Sequence, residues 1–563
     1  MFDPLKPALP RSYAQTELGH GSNLRKLETT ATFIQETDEF ELHSPTLTSL
    51  KWWPGALARS SNYAAVFAHL ILPDGKDYGM HAFLTQIRDG NHDPMPGIEV
   101  GDIGALAVPS ILFFFLLQFN SIDNGYLRLT RVRIPRSQMM QRFAKVSRDG
   151  VYSKSINDKL TYATMVSVRA DIVTNSSNIL GKAVTIAVRY SAVRSQGNNP
   201  SGEGEYQILD YTKQQHTLMT SLGLTYALHY TGKYMREMFE ANLRNIMNGG
   251  DTSMMEDVHA VSSGLKAVCS QMVLESIELA RQACGGHGYS HLSGLPWLYE
   301  MYAQYPTVEG ENTILHLQTG PILLRQLARA CTNPSSLAPH IAYLADAPAL
   351  LSSHCPVQHE DDWLDPMVQL RTLQHRDVRQ MNVLADDMEA TRRVASHKQL
   401  DIKNQHMLEI IQISKSHCQT TIVYTFHHAL PTIQRDHPQL YPALKRLSDL
   451  HTLHTIQTNL ADFLIDGYVD AQQAAMLPKL VKRLVKEARQ DAVGYVDAFG
   501  FSDNSLGSAL GRYDGNVYEA LYKWTKLGEE IVKDGGGGVK RDYREVLQEI
   551  REVGKRETRK AKL

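Results

Sequence analysis

Residues 261–283 read VSSGLKAVCSQMVLESIELARQA, and the spacing of their apolar side chains sets the fold class. Val261, Leu265, Val268, Met272, Leu279 and Ala283 return at intervals of three, four or seven, the period of one helix face. The chain after about residue 155 is therefore expected to be mostly helical. Downstream, a polar, Pro-containing stretch from Thr332 to Trp363 interrupts the pattern before a second helical series opens with Leu370, Leu373, Met381, Leu384 and Met388. Upstream, from Tyr13 to about Pro135, the period shortens. Thr32, Ile34, Phe40, Leu42, Val66, Phe83 and Ile87 stand in brief alternating or apolar runs, and Thr37-Asp38, Pro73-Asp74-Gly75 and Asn124-Gly125 separate them as turns. That reads as an antiparallel, barrel-like β domain. The expected class is α+β, mostly α: an unmatched segment 1–12, a β domain 13–137, a first helical domain 155–331, a linker 332–363, a second helical domain 364–534, and a tail 535–563.

Composition narrows the class of function. The 563 residues suffice for roughly three or four domains of about 150 residues each. Lys plus Arg total 58 against 60 Asp plus Glu, a formal charge of −2, which argues against a nucleic-acid partner. At 43% hydrophobic and 21% charged residues the chain has a globular composition and is neither collagen-like nor disordered. The five cysteines, Cys269, Cys284, Cys331, Cys355 and Cys418, include no Cys-x-x-Cys pair, so a reducing interior fits best. The N-terminus MFDPLKPALPRSY lacks the basic patch and apolar stretch of a secretory signal. The greasiest run, Leu106 to Phe119, contains Pro109 and falls short of the roughly 20 residues that span a bilayer, so no membrane span is expected.

Three glycine-containing segments stand out: YAQTELGHGSN (13–23), KWWPG (51–55) and CGGHGY (284–289). None follows the Gly-x-Gly-x-x-Gly or Gly-Lys-Ser/Thr pattern of a classical nucleotide loop, and each alone reads as a tight turn. A fourth, VEGENT (308–313), sets Glu309 and Glu311 beside a glycine just before the apolar run Ile314, Leu315, Leu317. A carboxylate held there in an apolar cleft becomes a stronger base, whereas one at the helix start is simply a cap stabilised by the helix dipole. His354, Cys355, His359, Glu360 and Asp361 match no standard metal spacing, and no metal is expected. Gly535 to Gly538 form a flexible joint before a charged tail. The tail ends in Ala561-Lys562-Leu563, which has the small-basic-Leu form of the C-terminal peroxisomal address.

Taken in order, these segments together with LETTATF (27–33), GIEVGDIG (97–104), DNGYLRL (123–129), IAVRYSAVRSQ (186–196), ILDYTKQQ (208–215) and EGENTILHLQTG (309–320) resemble the peroxisomal acyl-CoA oxidases, flavoenzymes related to the acyl-CoA dehydrogenases. The resemblance implies a β domain followed by two helical bundle domains of the acyl-CoA oxidase type, and FAD as cofactor. It matches Thr16 to the residue that hydrogen-bonds the flavin ring edge and Gly55 to the glycine against the ring. Arg194 matches an arginine meeting the FAD diphosphate across a dimer interface. Gly285, Gly286 and Gly288 match the loop approaching the partner's FAD. Glu309 matches the catalytic base, and Glu311 is left as a helix-start residue. The implied reaction removes the α-proton of a fatty acyl-CoA on Glu309 while the β-hydride passes to the flavin. It yields the trans-2-enoyl-CoA, and dioxygen then takes the electrons to give hydrogen peroxide, the first step of peroxisomal fatty acid β-oxidation. The implied partners are fatty acyl-CoA, dioxygen, a second copy in a homodimer and the import receptor that reads the C-terminal tripeptide, with the peroxisomal matrix as location.

Two departures from the family are expected to matter. Only MFDPLKPALPRS precedes the first matching segment where the family has an N-terminal helical domain, and ALAVPSILFFFLLQF (105–119) stands where the family has a short polar link. Both fit translated intron and a late start codon, which sequencing the transcript tests. Two alternatives stay beside the oxidase reading: a catalytically silent or dimerising partner chain of the same family, and a dehydrogenase that passes electrons to a carrier protein.

Overall fold

The computed structural model describes residues 11–104, 122–141, 144–154, 160–199, 201–202, 204–248, 254–394 and 399–533. The apolar run 105–119, the glycine joint and the terminal tripeptide lie outside the described residues.

The N-terminal half-barrel is built from β1 (Arg11–Ala14), β2 (Thr30–Ile34), β3 (Glu39–His43), β4 (Lys51–Trp52), β5 (Tyr63–Ile71), β6 (Asp77–Gln86), β7 (Ile98–Asp102), β8 (Gly125–Leu129) and β9 (Val132–Pro135). One sheet runs β1-β5-β2-β3-β9 with β6 on the other edge of β5, and a second runs β4-β8-β7. Period-two burial makes the layer. Ala64, Val66, Ala68 and Leu70 of β5 are fully buried in alternation with half-buried neighbours. Phe33 and Phe40 pack as a tilted pair and Phe40 and Phe83 edge to face, with centroids 5.2 and 5.0 Å apart. The expectation of an antiparallel domain needs one correction: β1 and β2 both pair with β5 in parallel. Side-chain alternation carries no strand direction, and parallel neighbours are joined by long connections rather than hairpins, so their pairing leaves no local signature. Two small ribbons, β10 (Ala144–Val146) with β11 (Tyr152–Lys154) and β12 (Ser195–Asn198) with β13 (Glu205–Gln207), complete the strands described.

The helical part opens with α1 (Leu160–Val193), α2 (Thr212–Met247) and α3 (Met254–Ala283), followed by the short α4 (Gly285–Tyr289) and α5 (Leu295–Tyr302) and by α6 (Asn312–Thr332). Then come α7 (Ala347–Ser352), α8 (Pro366–Val394), α9 (Gln399–Gln405), α10 (Met407–Asp436), α11 (Tyr441–Thr458), α12 (Ala461–Leu464), α13 (Ala471–Gln490), α14 (Ala492–Asp497), α15 (Asp503–Leu506) and α16 (Val517–Lys533). α1 packs on α2 and α3, α3 on α6, and α10 bridges the two helical series by packing on α2, α3, α6 and α8. One hydrophobic core accordingly runs from Val166 to Val517. The stretch 332–363, expected as a linker, folds into short 3-10 turns and α7. It contributes Cys355, Val357 and the fully buried Trp363 to that core. Its acidic cluster is spoken for: Arg483 pairs with Glu360 and Asp361.

Candidate active site

Between α5 and α6 the chain turns a corner that only a strained backbone can make. Glu309 has φ 56° and Gly310 φ 106°. A Cβ on Gly310 would lie 2.7 Å from Leu315 Cδ2, so glycine is required there, while Glu309 takes a left-handed conformation uncommon for a residue with a side chain. Such strain, of order 1–3 kcal/mol, persists only where neighbours over-determine it. Here two cations do so. Arg169 Nε of α1 donates to the Glu309 carbonyl at 3.0 Å, and Lys266 Nζ of α3 donates to the Gly310 carbonyl at 2.8 Å. Asn312, the first residue of α6, is tied to the same helix, its Oδ1 accepting from Lys266 Nζ at 3.0 Å and its Nδ2 donating to the Ala267 carbonyl at 3.0 Å. Glu311 accepts from the Ile314 amide at 3.2 Å, so it is the helix cap expected from the sequence and is engaged away from chemistry.

Burial pushes the Glu309 carboxyl above its ordinary value of 4.5, and the Arg169 and Lys266 charges pull it back. The arrangement suits a carboxylate that must be ionised yet basic. Facing it is the β domain. Partial burial of the phenol and then the Glu309 charge push Tyr13 up to about 12. The Tyr13 hydroxyl donates to Gln15 Oε1 at 3.0 Å.

Thr16 and Gly55 are each tied to a neighbouring segment of the β domain. The Trp52 amide donates to the Thr16 carbonyl at 2.9 Å, and Ser12 Oγ donates to the Gly55 carbonyl at 2.9 Å. Beneath Thr16 is a buried ion pair: Lys51 Nζ meets Glu17 Oε1 at 2.9 Å, both side chains 0% exposed. Lys51 also donates to the Gln15 and Phe67 carbonyls, and Glu17 accepts from the Glu28 and Thr29 amides and the Thr29 hydroxyl. Glu17, His20 and Glu28 bring possible ligand atoms within 4.8 Å of one another, but the Glu17 oxygens are committed to Lys51 and Thr29 and those of Glu28 to Thr46 and Thr48. They form an anchor for the strand. Tyr13 and Trp53 are 52% and 53% exposed, and among the described residues the half-buried Thr16 hydroxyl has no partner. A free hydroxyl at Thr16 is a donor that a flavin ring edge could take.

The other expected contacts lie elsewhere. Arg194 follows the last turn of α1, where its guanidinium donates to Gln196 Oε1 and Tyr518 Oη. Its amide donates to the Tyr190 carbonyl, and the Tyr190 ring packs on His287 of the glycine segment. Arg194 and the Gly285–Gly288 segment thus form a second cluster. At about 1.5 Å per residue, the 25 steps from Arg169 of α1 to Arg194, the residue just past its end, span about 37 Å, so within one chain the two clusters are far apart. Gly285 and Gly286 face open space, whereas a Cβ on Gly288 would lie 2.0 Å from the Arg281 carbonyl, so Gly288 is needed for the α3–α4 corner. Reading motifs from the sequence missed Arg169, Lys266 and the Glu17–Lys51 pair. The available signal was a lone lysine inside the apolar run SSGLKAVCS.

The chain also matches known proteins along most of its length. The family model described as "Acyl-CoA oxidase, C-alpha1 domain" matches residues 162–324, and that described as "Acyl-CoA oxidase" matches residues 365–552. The chain is 41% identical over 524 residues to peroxisomal acyl-coenzyme A oxidase 1 of Bos taurus, covering 92% of this chain and 76% of that protein. The crystal structure of an acyl-CoA oxidase from tomato superposes with a TM-score of 0.85 at 37% identity over 92% of this chain and 77% of that one. Acyl-CoA oxidase-2 of Caenorhabditis elegans, solved with FAD, ascaroside-CoA and ATP, superposes with a TM-score of 0.85 at 34% identity over 97% and 78%. With the strained, cation-held glutamate corner, the half-barrel facing it and these matches along its length, the chain belongs to the acyl-CoA oxidase family.

Proposed function

We propose that the chain is an FAD-dependent acyl-CoA oxidase that converts a fatty acyl-CoA to its trans-2-enoyl-CoA and hands the electrons to dioxygen as hydrogen peroxide, in the peroxisomal matrix as the first step of fatty acid β-oxidation. The observation that carries this reading is the Glu309 corner: a carboxylate on a left-handed turn, exposed in this chain, whose backbone is fixed by Arg169 and Lys266 through the carbonyls of its own turn and whose charge reaches Tyr13 of the β domain. Thr16 and Gly55 would hold the ring edge of FAD. Arg194, Gly285 and Gly286 would meet the FAD of a partner subunit, which suits their separation from Glu309 and makes the working unit a homodimer. When bound, FAD supplies the hydride acceptor and the centre that dioxygen reoxidises. The protein's part is proton transfer and positioning. Glu309, its carboxyl raised by partial desolvation against the pull of its two cations, takes the α-proton of the thioester. Amide N–H groups in the base segment are suited to the thioester oxygen as charge develops there. Ala561-Lys562-Leu563 serves as the address for the import receptor.

The test is the flavin spectrum of the purified protein before and after an acyl-CoA is added without oxygen, followed by peroxide measurement in air. Wild type is expected to bleach and then to release peroxide. E309Q is expected to keep its flavin and lose roughly a hundredfold to ten-thousandfold in reduction rate. Bleaching without peroxide in air would indicate a dehydrogenase, and protein that takes up no flavin would indicate a silent chain. The pH profile has a definite sign. Because only the ionised Glu309 is a base and its folded pKa is raised, kcat/KM should fall on the acid side with a midpoint above 4.5.

A further inference from the structure

Lys266 is the charged member of the buried set of α3 and is 0% exposed, flanked by Leu265 and Ala267. Taking an ammonium out of water is costly, and hydrogen bonding does not require it here, since Asn312 Oδ1 also accepts from Ser270 Oγ at 3.3 Å and a neutral amide could serve the Gly310 carbonyl. What a lysine adds is charge. We propose that Lys266 is a positioning residue for the base: its ammonium pins the Gly310 carbonyl and the Asn312 amide, and its charge supports the Glu309 carboxylate one residue away. This rests on the reading of Glu309 as the base.

The surroundings are consistent from every side. Glu309 is faced by Arg169 of α1, Lys266 of α3 and Tyr13 of β1. Lys266 is faced by Arg169, Glu311 and Glu309, and its charge also reaches His316 of α6. Burial and Arg169 lower Lys266 to about 8 while Glu311 and Glu309 raise it, so near neutrality the lysine carries its proton. The two cations divide the work: Arg169 takes the carbonyl of Glu309 itself and Lys266 the next one along, so the left-handed corner is held on both of its residues.

The experiment compares the holoenzymes of wild type, K266M, K266Q and K266R, matched for flavin content and melting temperature, in kcat/KM against pH. Removing the charge should move the acid limb upward by roughly one pH unit in both K266M and K266Q. Loss of the hydrogen bond should lower kcat further in K266M than in K266Q, by about tenfold. K266R should keep the limb where wild type has it. An independent readout is infrared titration of the Glu309 carboxyl in flavin-free protein, assigned by difference from E309Q, whose midpoint should rise in step. A limb and a carboxyl midpoint unmoved in K266M and K266Q would overturn the proposal. If K266M does not fold, K266Q and K266R decide it by the same criterion. E309Q separates the two levels: wild-type reduction by E309Q removes the base reading itself, whereas an inactive E309Q with an unmoved limb in the lysine variants removes only the role of Lys266.

Discussion

Glu17 and Lys51 show what a fully buried pair does at the scale of single residues. Each removes the other's need for water, and together they fix three backbone segments around Thr16. Burial outweighs the opposing pull of Glu17 and lowers Lys51 to about 8, so the pair depends on both members. Breaking such a pair leaves an uncompensated buried charge, typically costing 3–5 kcal/mol, whereas replacing both members costs less. K51M and E17Q should each lower the melting temperature by several degrees and reduce flavin retention, and the double variant should lose less than the sum. Strictly additive losses in a thermal-melt cycle would show that the two side chains act separately. Thr16, Gly55 and Glu309 were singled out in the sequence by the family resemblance, not by any local motif. The groups that set their geometry were not, because Arg169 and Lys266 reach the corner from 140 and 44 residues away, where no spacing rule operates.

At the scale of elements, the period of three to four residues was enough to read α3 as a helix, though not its packing: Ala260 to Ser270 are buried all round, while Leu279, on the same period as Val261, Leu265 and Val268, is exposed. The parallel neighbours of β5 and the packed turns of 332–363 escaped that reading, because each depends on contacts that close only in three dimensions. The glycine segment after α3 shows the same division. Its glycines look alike in sequence, yet Gly288 has the Arg281 carbonyl where a side chain would go and Gly286 has open space. G288A should therefore open the α3–α4 corner and lower the melting temperature, while G286A should leave the melt unchanged. If the open face of this loop meets FAD, G286A should still weaken flavin retention, which equilibrium dialysis against FAD would measure. Equal melts for the two variants would mean that the corner relaxes without cost.

At the scale of the whole molecule, the shared helical core carries histidines that burial keeps neutral: His417, His427 and His451 fall to about 3, and His340 and His454 to about 4, from an ordinary 6.5. Folded pKa values below the unfolded ones mean that the unfolded chain binds more protons, so stability is full above pH 6.5 and drains away as pH falls toward 4 and 3. Melting temperatures should drop steadily between pH 7 and pH 5, and a flat profile would mean that these rings gain protons without unfolding. The second whole-molecule consequence comes from α1, whose length places Arg194 about 37 Å from the residue that holds Glu309. If each site takes its base from one subunit and its arginine from the other, two separately inactive variants should repair one another. In a mixed dimer of E309Q with R194M, one site receives both lesions and the other neither. Co-expression with distinct tags and purification of the mixed species should then recover about half of the wild-type activity per dimer, since one of two symmetric sites is intact. Were Arg194 to serve the site of its own chain, each site in the mixed dimer would carry one lesion, and the mixture would be as inactive as its parents.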